Sequence, residues 1–156
     1  MFEHDYLMRM FFQLFDAIQR SLRLSRGDNP DPQAQARLLE DAIGVATELD
    51  GGVLLSLSPD SIASIMEVSG TDPRVAEYVA RTMYLISGYL AEAGKTDLAT
   101  LRAEQALALA DHYGFSLDEE LGPEAAMEAF LEYEQTDGVL SVRSDERTDS
   151  LDAANE

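Results

Sequence analysis

Two histidines, thirty carboxylates and no cysteine set the chemistry open to this chain of 156 residues. His4 stands near the start and His112 lies in Ala110-Asp111-His112-Tyr113. A carboxylate-bridged di-iron bundle needs Glu-x-x-His twice. The residues three positions before His4 and His112 are Met1 and Leu109, so that arrangement is not written here. Neither are His-Glu-x-x-His, a phosphate-binding P-loop, a Gly-x-Ser-x-Gly elbow or a dinucleotide-binding glycine motif. Without cysteine there is no thiolate nucleophile, Cys-ligated zinc, iron–sulfur site or disulfide framework, which fits a reducing compartment. Glu120, Glu124, Glu128 and Glu132 fall on one helical stripe, where like charges four apart repel. That row lacks the convergent loop that calcium prefers. It reads as a solvated face, or as a face that meets a basic partner. His112 suits the last turn of a helix, where an imidazolium meets the negative end of the dipole. No catalytic, metal-ligating or cofactor-binding residue is assigned.

The elements that would position such groups are marked by proline and glycine. Asp31-Pro32, Ser58-Pro59, Asp72-Pro73 and Gly122-Pro123 each set a proline behind a residue able to cap a helix, where its missing N–H costs nothing. Thr96 and Ser116 are further expected caps, Ser116 forming a capping box with Glu119. Gly27, the Gly51-Gly52 pair, Gly70, Gly94 and Gly114 stand where helices should end. Helices are therefore expected over 3–26, 32–50, 59–69, 73–93, 97–113 and 123–135, giving an all-α fold. Val53-Leu54-Leu55-Ser56-Leu57 alternates as a strand might, but it is short and has no partner, so it reads as a buried connector. The organisation expected is an apolar N-terminal helix over 1–26, a helical body over 27–135 and a mobile acidic tail over 136–156.

Within the body, 73–93 and 97–113 are joined by a turn too short for any but an antiparallel pair. Val75, Val79, Met83, Ile86 and Leu90 form one apolar face, and Ala99, Ala103, Ala106 and Ala110 make a seam that lets the two axes approach. Met83, Ile86, Leu90, Gly94, Ala99, Ala106 and Leu107 also fall on the large, turn-glycine and small positions of the tetratricopeptide pattern. Ser87 departs from it and no proline closes the unit. A tetratricopeptide-like array of antiparallel hairpins and an irregular bundle both remain open, with 32–50 and 59–69 as a degenerate second pair. In the tetratricopeptide register Arg81, Tyr84 and Glu92 would point into the concave side.

In the first helix Asp5, Arg9, Gln13, Asp16, Arg20 and Arg23 make one narrow polar stripe. Tyr6, Met10, Phe11 and Phe15 belong to an apolar surface wider than the usual stripe of a surface helix, which demands partners on several sides. Those partners are the rest of the chain, a second copy, or a membrane surface, the last opposed by the acids of the helix and the body. The opening Met1-Phe2-Glu3-His4-Asp5-Tyr6-Leu7-Met8-Arg9-Met10 resembles the start of a family of small bacterial proteins of unknown function, in which an Asp-Tyr-x-Met-Arg helix precedes an acidic helical hairpin domain. The resemblance implies a cytoplasmic protein with a tetratricopeptide-like body, and it brings no catalytic residue.

Charge bounds the partners. The chain carries 30 Asp and Glu against 11 Lys and Arg, a net of −19. Residues 1–26 hold four Arg against three acids, so the acidic excess belongs to the remaining 130 residues. Such a surface repels phosphate backbones and anionic lipid, so direct nucleic-acid binding is not expected. The function expected is a non-enzymatic interaction or self-association module, a homodimer through the first helix being one form. The rivals are a small carboxylate-based enzyme or metal-binding regulator, and an acidic mimic of nucleic acid. Tyr6, Met10, Phe11, Phe15, Arg81, Tyr84 and Glu92 are the interaction candidates.

Overall fold

The computed structural model describes residues 2–136, and all of its regular structure is helical. The expected acidic tail lies, from position 137 on, outside the described residues. In order come α1 (Phe2–Ser25), α2 (Pro32–Thr47), α3 (Gly51–Leu55), α4 (Pro59–Val68), α5 (Pro73–Glu92), α6 (Thr96–Tyr113) and, after a 3₁₀ turn at Glu119–Leu121, α7 (Pro123–Thr136).

Each proline that opens a helix sits at its first residue. The preceding Asp31, Ser58 and Asp72 side chains accept hydrogen bonds from the backbone N–H of Ala34, Ser61 and Arg74. These caps satisfy donors that would otherwise be orphaned at the helix start. Thr96 instead lies inside α6, which begins after Lys95 without a side-chain cap. Ser116 accepts from the N–H of Asp118 rather than completing a capping box with Glu119.

The expected helix 32–50 ends early, and the reason is local. Glu48 takes a left-handed backbone at φ 58°, and Asp50 then caps a new helix by accepting from the N–H of Val53. Gly51 and Gly52 therefore start α3 instead of stopping α2. Gly51 also lies against α2, since a Cβ on it would sit 3.4 Å from the Gly44 Cα and from the Glu40 carbonyl. The connector 53–57 is thus mostly the end of a short helix, with Leu54 and Leu55 buried and Val53 exposed.

Two hairpins build the body. α1 packs on α2, α5 packs on α6, and α2 joins them by packing on α5, which α1 also touches. α4 packs on α6 and forms no pair with α2, so the expected second pair is α1 and α2 instead. Of the expected alanine seam Ala99, Ala106 and Ala110 are buried and Ala103 half-buried, whereas Leu107 is exposed. α5 is the central element, with Val75, Ala76, Val79, Met83, Ile86 and Leu90 all buried.

α7 lies along α5. Gly88 admits Pro123 so closely that a Cβ there would sit 2.8 Å from the proline ring. Near the other end the Phe130 ring meets Tyr78 edge-on at 5.1 Å, and the Tyr78 hydroxyl donates to Glu134 at 2.9 Å. Burial is the first reason, and the Glu134 charge the second, that the Tyr78 phenol is pushed far above its ordinary pKa. Among the described residues no helix is long and apolar enough to cross a membrane.

Candidate functional site

The expected interaction residues separate into two groups, one spent inside the fold and one left at its surface. Phe11 is fully buried and tilts against Tyr78 at 4.9 Å between ring centres. Leu14, Ile18 and Leu22 follow it along the same face of α1, all buried. Phe15 is half-buried against that core. The broad apolar surface of α1 is thus covered by its own chain over most of its length, and Phe11 is not available to a partner.

Arg81 is likewise consumed. Its guanidinium bonds Glu77 at 2.9 and 3.0 Å and the Ser116 carbonyl at 3.0 Å. It also stacks over Phe130 at 4.2 Å and Phe115 at 5.2 Å. An arginine so placed fastens α7 and its approach segment to α5 by charge and by ring contact together. Tyr84 is half-buried in the same region, and burial, then the charges of Glu119 and Glu120, raise its pKa. The face of α5 expected to be concave and open is therefore covered by α7 and the 115–121 segment. Glu92 stays exposed and lines a hollow of about 330 Å³ beside Leu121 and Pro123.

Tyr6 and Met10 come together in an open cleft of about 880 Å³. Three segments far apart in sequence form it: the first turns of α1, the end of α2 at Ala46–Glu48, and the α4–α5 junction from Ser69 to Val75. Met10, Ala46 and Val75 are buried and, with half-buried Leu7, make an apolar floor. Asp5, Glu48 and Asp72 stand on the rim against a single cation, Arg9. Tyr6 is 38% exposed at the mouth.

Local structure fixes each wall. The Thr47 hydroxyl donates to the Ile43 carbonyl at 2.8 Å and accepts from Leu49 N–H at 3.4 Å, which closes α2 and turns Glu48 outward. Gly70 at φ 74° ends α4, and Thr71 N–H returns to the Met66 carbonyl at 3.0 Å. Asp72 then caps α5 and holds the Arg74 Nε at 3.3 Å, so its charge is partly spent. Hydrogen bonding to Glu48, then desolvation and the Glu48 charge, hold the Tyr6 phenol above its ordinary pKa against the pull of Arg9. The phenol stays a neutral donor.

A second groove of about 960 Å³ runs between α2, α3 and α6, with Val45 and Leu98 exposed along it. Its buried polar groups are turned inward. Arg102 bonds Glu40 at 2.8 Å and the Leu55 carbonyl at 2.7 Å, while Gln105 bonds the Leu55 and Leu57 carbonyls at 3.0 and 2.7 Å. This network holds the α3–α4 linker against α6 and uses the groups a ligand would need. Its trace in the sequence is slight, an Arg and a Gln three apart on an alanine-rich helix.

His112 lies in the last turn of α6 and pairs with Glu67 at 3.0 Å, tying α6 to α4. Glu120 sits in the 3₁₀ turn, outside α7, and Glu128 pairs with Arg26, which breaks up the expected carboxylate row. Among the described residues no three His, Asp or Glu side chains converge as a metal site would require. Compared with protein-family models, curated proteins and solved structures, the chain matches none of them.

Proposed function

We propose that this chain is a cytoplasmic, non-enzymatic helical interaction module that takes a segment of another polypeptide into the cleft between α1, α2 and α5. One observation carries the reading: an open cleft with a buried apolar floor, a charged rim and an exposed tyrosine at its mouth. Its volume of about 880 Å³ is that of a pocket able to enclose a few side chains. Tyrosine offers a large rigid surface with a polar tip, which is why it is enriched where proteins meet. The expected self-association through the whole of α1 is not part of this reading, because Phe11, Leu14, Ile18 and Leu22 are used within the chain.

The absence of cysteine supplies the test. Ser69→Cys, at the cleft edge, and Glu92→Cys each create a single attachment point for a photo-activated crosslinker. The two positions lie at opposite ends of α5, separated by roughly 25–30 Å of helix. A discrete adduct is expected from position 69 that unlabelled wild-type protein competes away, with no such adduct from position 92. An adduct from position 92 alone would move the site to the α5–α7 hollow. One of twice the chain mass from position 69 would replace a foreign partner by a second copy.

A further inference from the structure

Resting on that reading, we infer that the cleft selects a cationic partner, a short amphipathic segment whose apolar side chain sits on Leu7, Met10, Ala46 and Val75 while its Lys or Arg meets Glu48 and Asp5. Charge complementarity is the argument. Asp5, Glu48 and Asp72 face the opening against Arg9, so the rim is net negative even with Asp72 partly engaged by Arg74. The positive end of α5 points at the same rim and is capped by Asp72, which leaves Asp5 and Glu48 to meet a cation, Glu48 already accepting from the neutral Tyr6 phenol but pairing with no base among the described residues. Glu48, in the left-handed residue that closes α2, is exposed and lines the cleft beside the Tyr6 phenol. The Tyr6 ring adds a face on which an ammonium or guanidinium can rest.

Apolar floor and acidic rim do different work. Exposed ion pairs are individually weak, so contact with the floor must hold the segment in place. The carboxylates decide which segments come near, raising the encounter rate of cationic ones and rejecting anionic ones. The net charge of −19 acts in the same direction over the whole surface. Nucleic acid and anionic lipid, which share the sign of the rim, are repelled from it.

Three peptides of one length and one apolar pattern test the inference: a Leu/Lys amphipathic helix, its Leu/Gln counterpart and its Leu/Glu counterpart. Each is titrated into the full chain while backbone amide resonances are followed. The Leu/Lys peptide is expected to saturate at one per chain, to shift the amides of Tyr6, Leu7, Glu48 and Val75, and to bind at least about tenfold tighter than Leu/Gln at low salt. Glu48→Gln should weaken it about two- to fivefold, and Glu92→Gln should not. Equal affinity of Leu/Gln at the same amides overturns the cation preference and leaves the docking site standing. Shifts spread over the α7 glutamates without saturation overturn both.

Discussion

Glu48 combines a backbone cost with a proposed use, and replacing it by glycine separates the two. An L-residue in the left-handed region costs roughly 1–2 kcal/mol against its helical conformation, and Glu48 adopts it at φ 58°. Glycine adopts it freely but loses roughly 0.5–1 kcal/mol more chain entropy on folding. Glu48→Gly should therefore stabilise the fold by about 0.5–1 kcal/mol, which for a chain of this length raises the melting midpoint by about 1–4 °C. The same change removes the carboxylate from the cleft, so binding of the Leu/Lys peptide should fall about two- to fivefold. Glu48→Gln is the control, because it keeps the backbone cost and discards only the charge. It should leave the midpoint alone and weaken binding as far as the glycine does. Thermal unfolding followed by circular dichroism and peptide titration read the two quantities on the same samples. A lower midpoint for the glycine variant would refute the reasoning, because the side chain would then be holding α2 against Tyr6 more strongly than its backbone resists. Higher stability with unchanged binding would show a strained residue without a part in docking.

Phe11→Ala removes a fully buried ring and should cost about 3–5 kcal/mol in urea unfolding with no change in solution mass, whereas a halved mass at unchanged stability would make α1 an assembly surface. Five tyrosines have raised pKa values, Tyr78 far above 10. Above about pH 10 the unfolded chain therefore releases phenolic protons that the folded chain keeps. Stability is fully present below that pH and falls as it rises. Tyr78→Phe should flatten the fall, and a pH profile that it leaves unchanged would contradict the assignment. Truncation after Thr136 should leave the melting midpoint where it is, since Pro123, Phe130 and Glu134 anchor α7 ahead of the cut; a fall of several degrees would show that residues beyond 136 contribute to the fold.

Legibility in this sequence followed the range of the interactions. Asp31, Ser58 and Asp72 with the prolines behind them act within three residues, and each opened the helix it announced. The Gly51-Gly52 pair is expected to stop α2, but Glu48 closes that helix first and the Asp50 cap makes the two glycines the start of α3, with Gly51 packed against Gly44. Nothing local distinguishes a glycine that ends one helix from a glycine that lets the next one lean on it. The breadth of the apolar face of α1 showed that it needs several neighbours, and the chain supplies them as α2, α5 and the Tyr78–Phe130 stack. Arg81 was read on the right face of α5 for a groove, but the sequence holds no sign that α7 returns to fill it. The cleft was the least legible feature. Tyr6, Glu48 and Asp72 are separated by more than twenty residues at each step, and their meeting depends on how α1, α2 and α5 cross. Glu48 carries no local mark of its left-handed turn, since glycine or asparagine is the usual occupant of that position.

The acidic excess bears on how the cleft must be tested. With thirty carboxylates and eleven Lys and Arg, at least nineteen carboxylates have no Lys or Arg of their own to pair with. Some of the bases are already taken, as Arg26 by Glu128, Arg81 by Glu77 and Arg102 by Glu40. Any polycation will therefore be drawn to this surface at low salt, and salt sensitivity alone says nothing about the cleft. What the cleft has and an exposed carboxylate such as Glu132 lacks is the floor of Leu7, Met10, Ala46 and Val75. Burial of apolar surface is not screened by ions, so contact with that floor persists when salt removes the general attraction. A Leu/Lys peptide seated in the cleft should accordingly keep shifting the Tyr6 and Val75 amides at high salt, with reduced affinity, after shifts along α7 have vanished. If the two sets of shifts disappear together, the cleft contributes no more than its share of the net charge, and both the docking site and its preference for a cation fall.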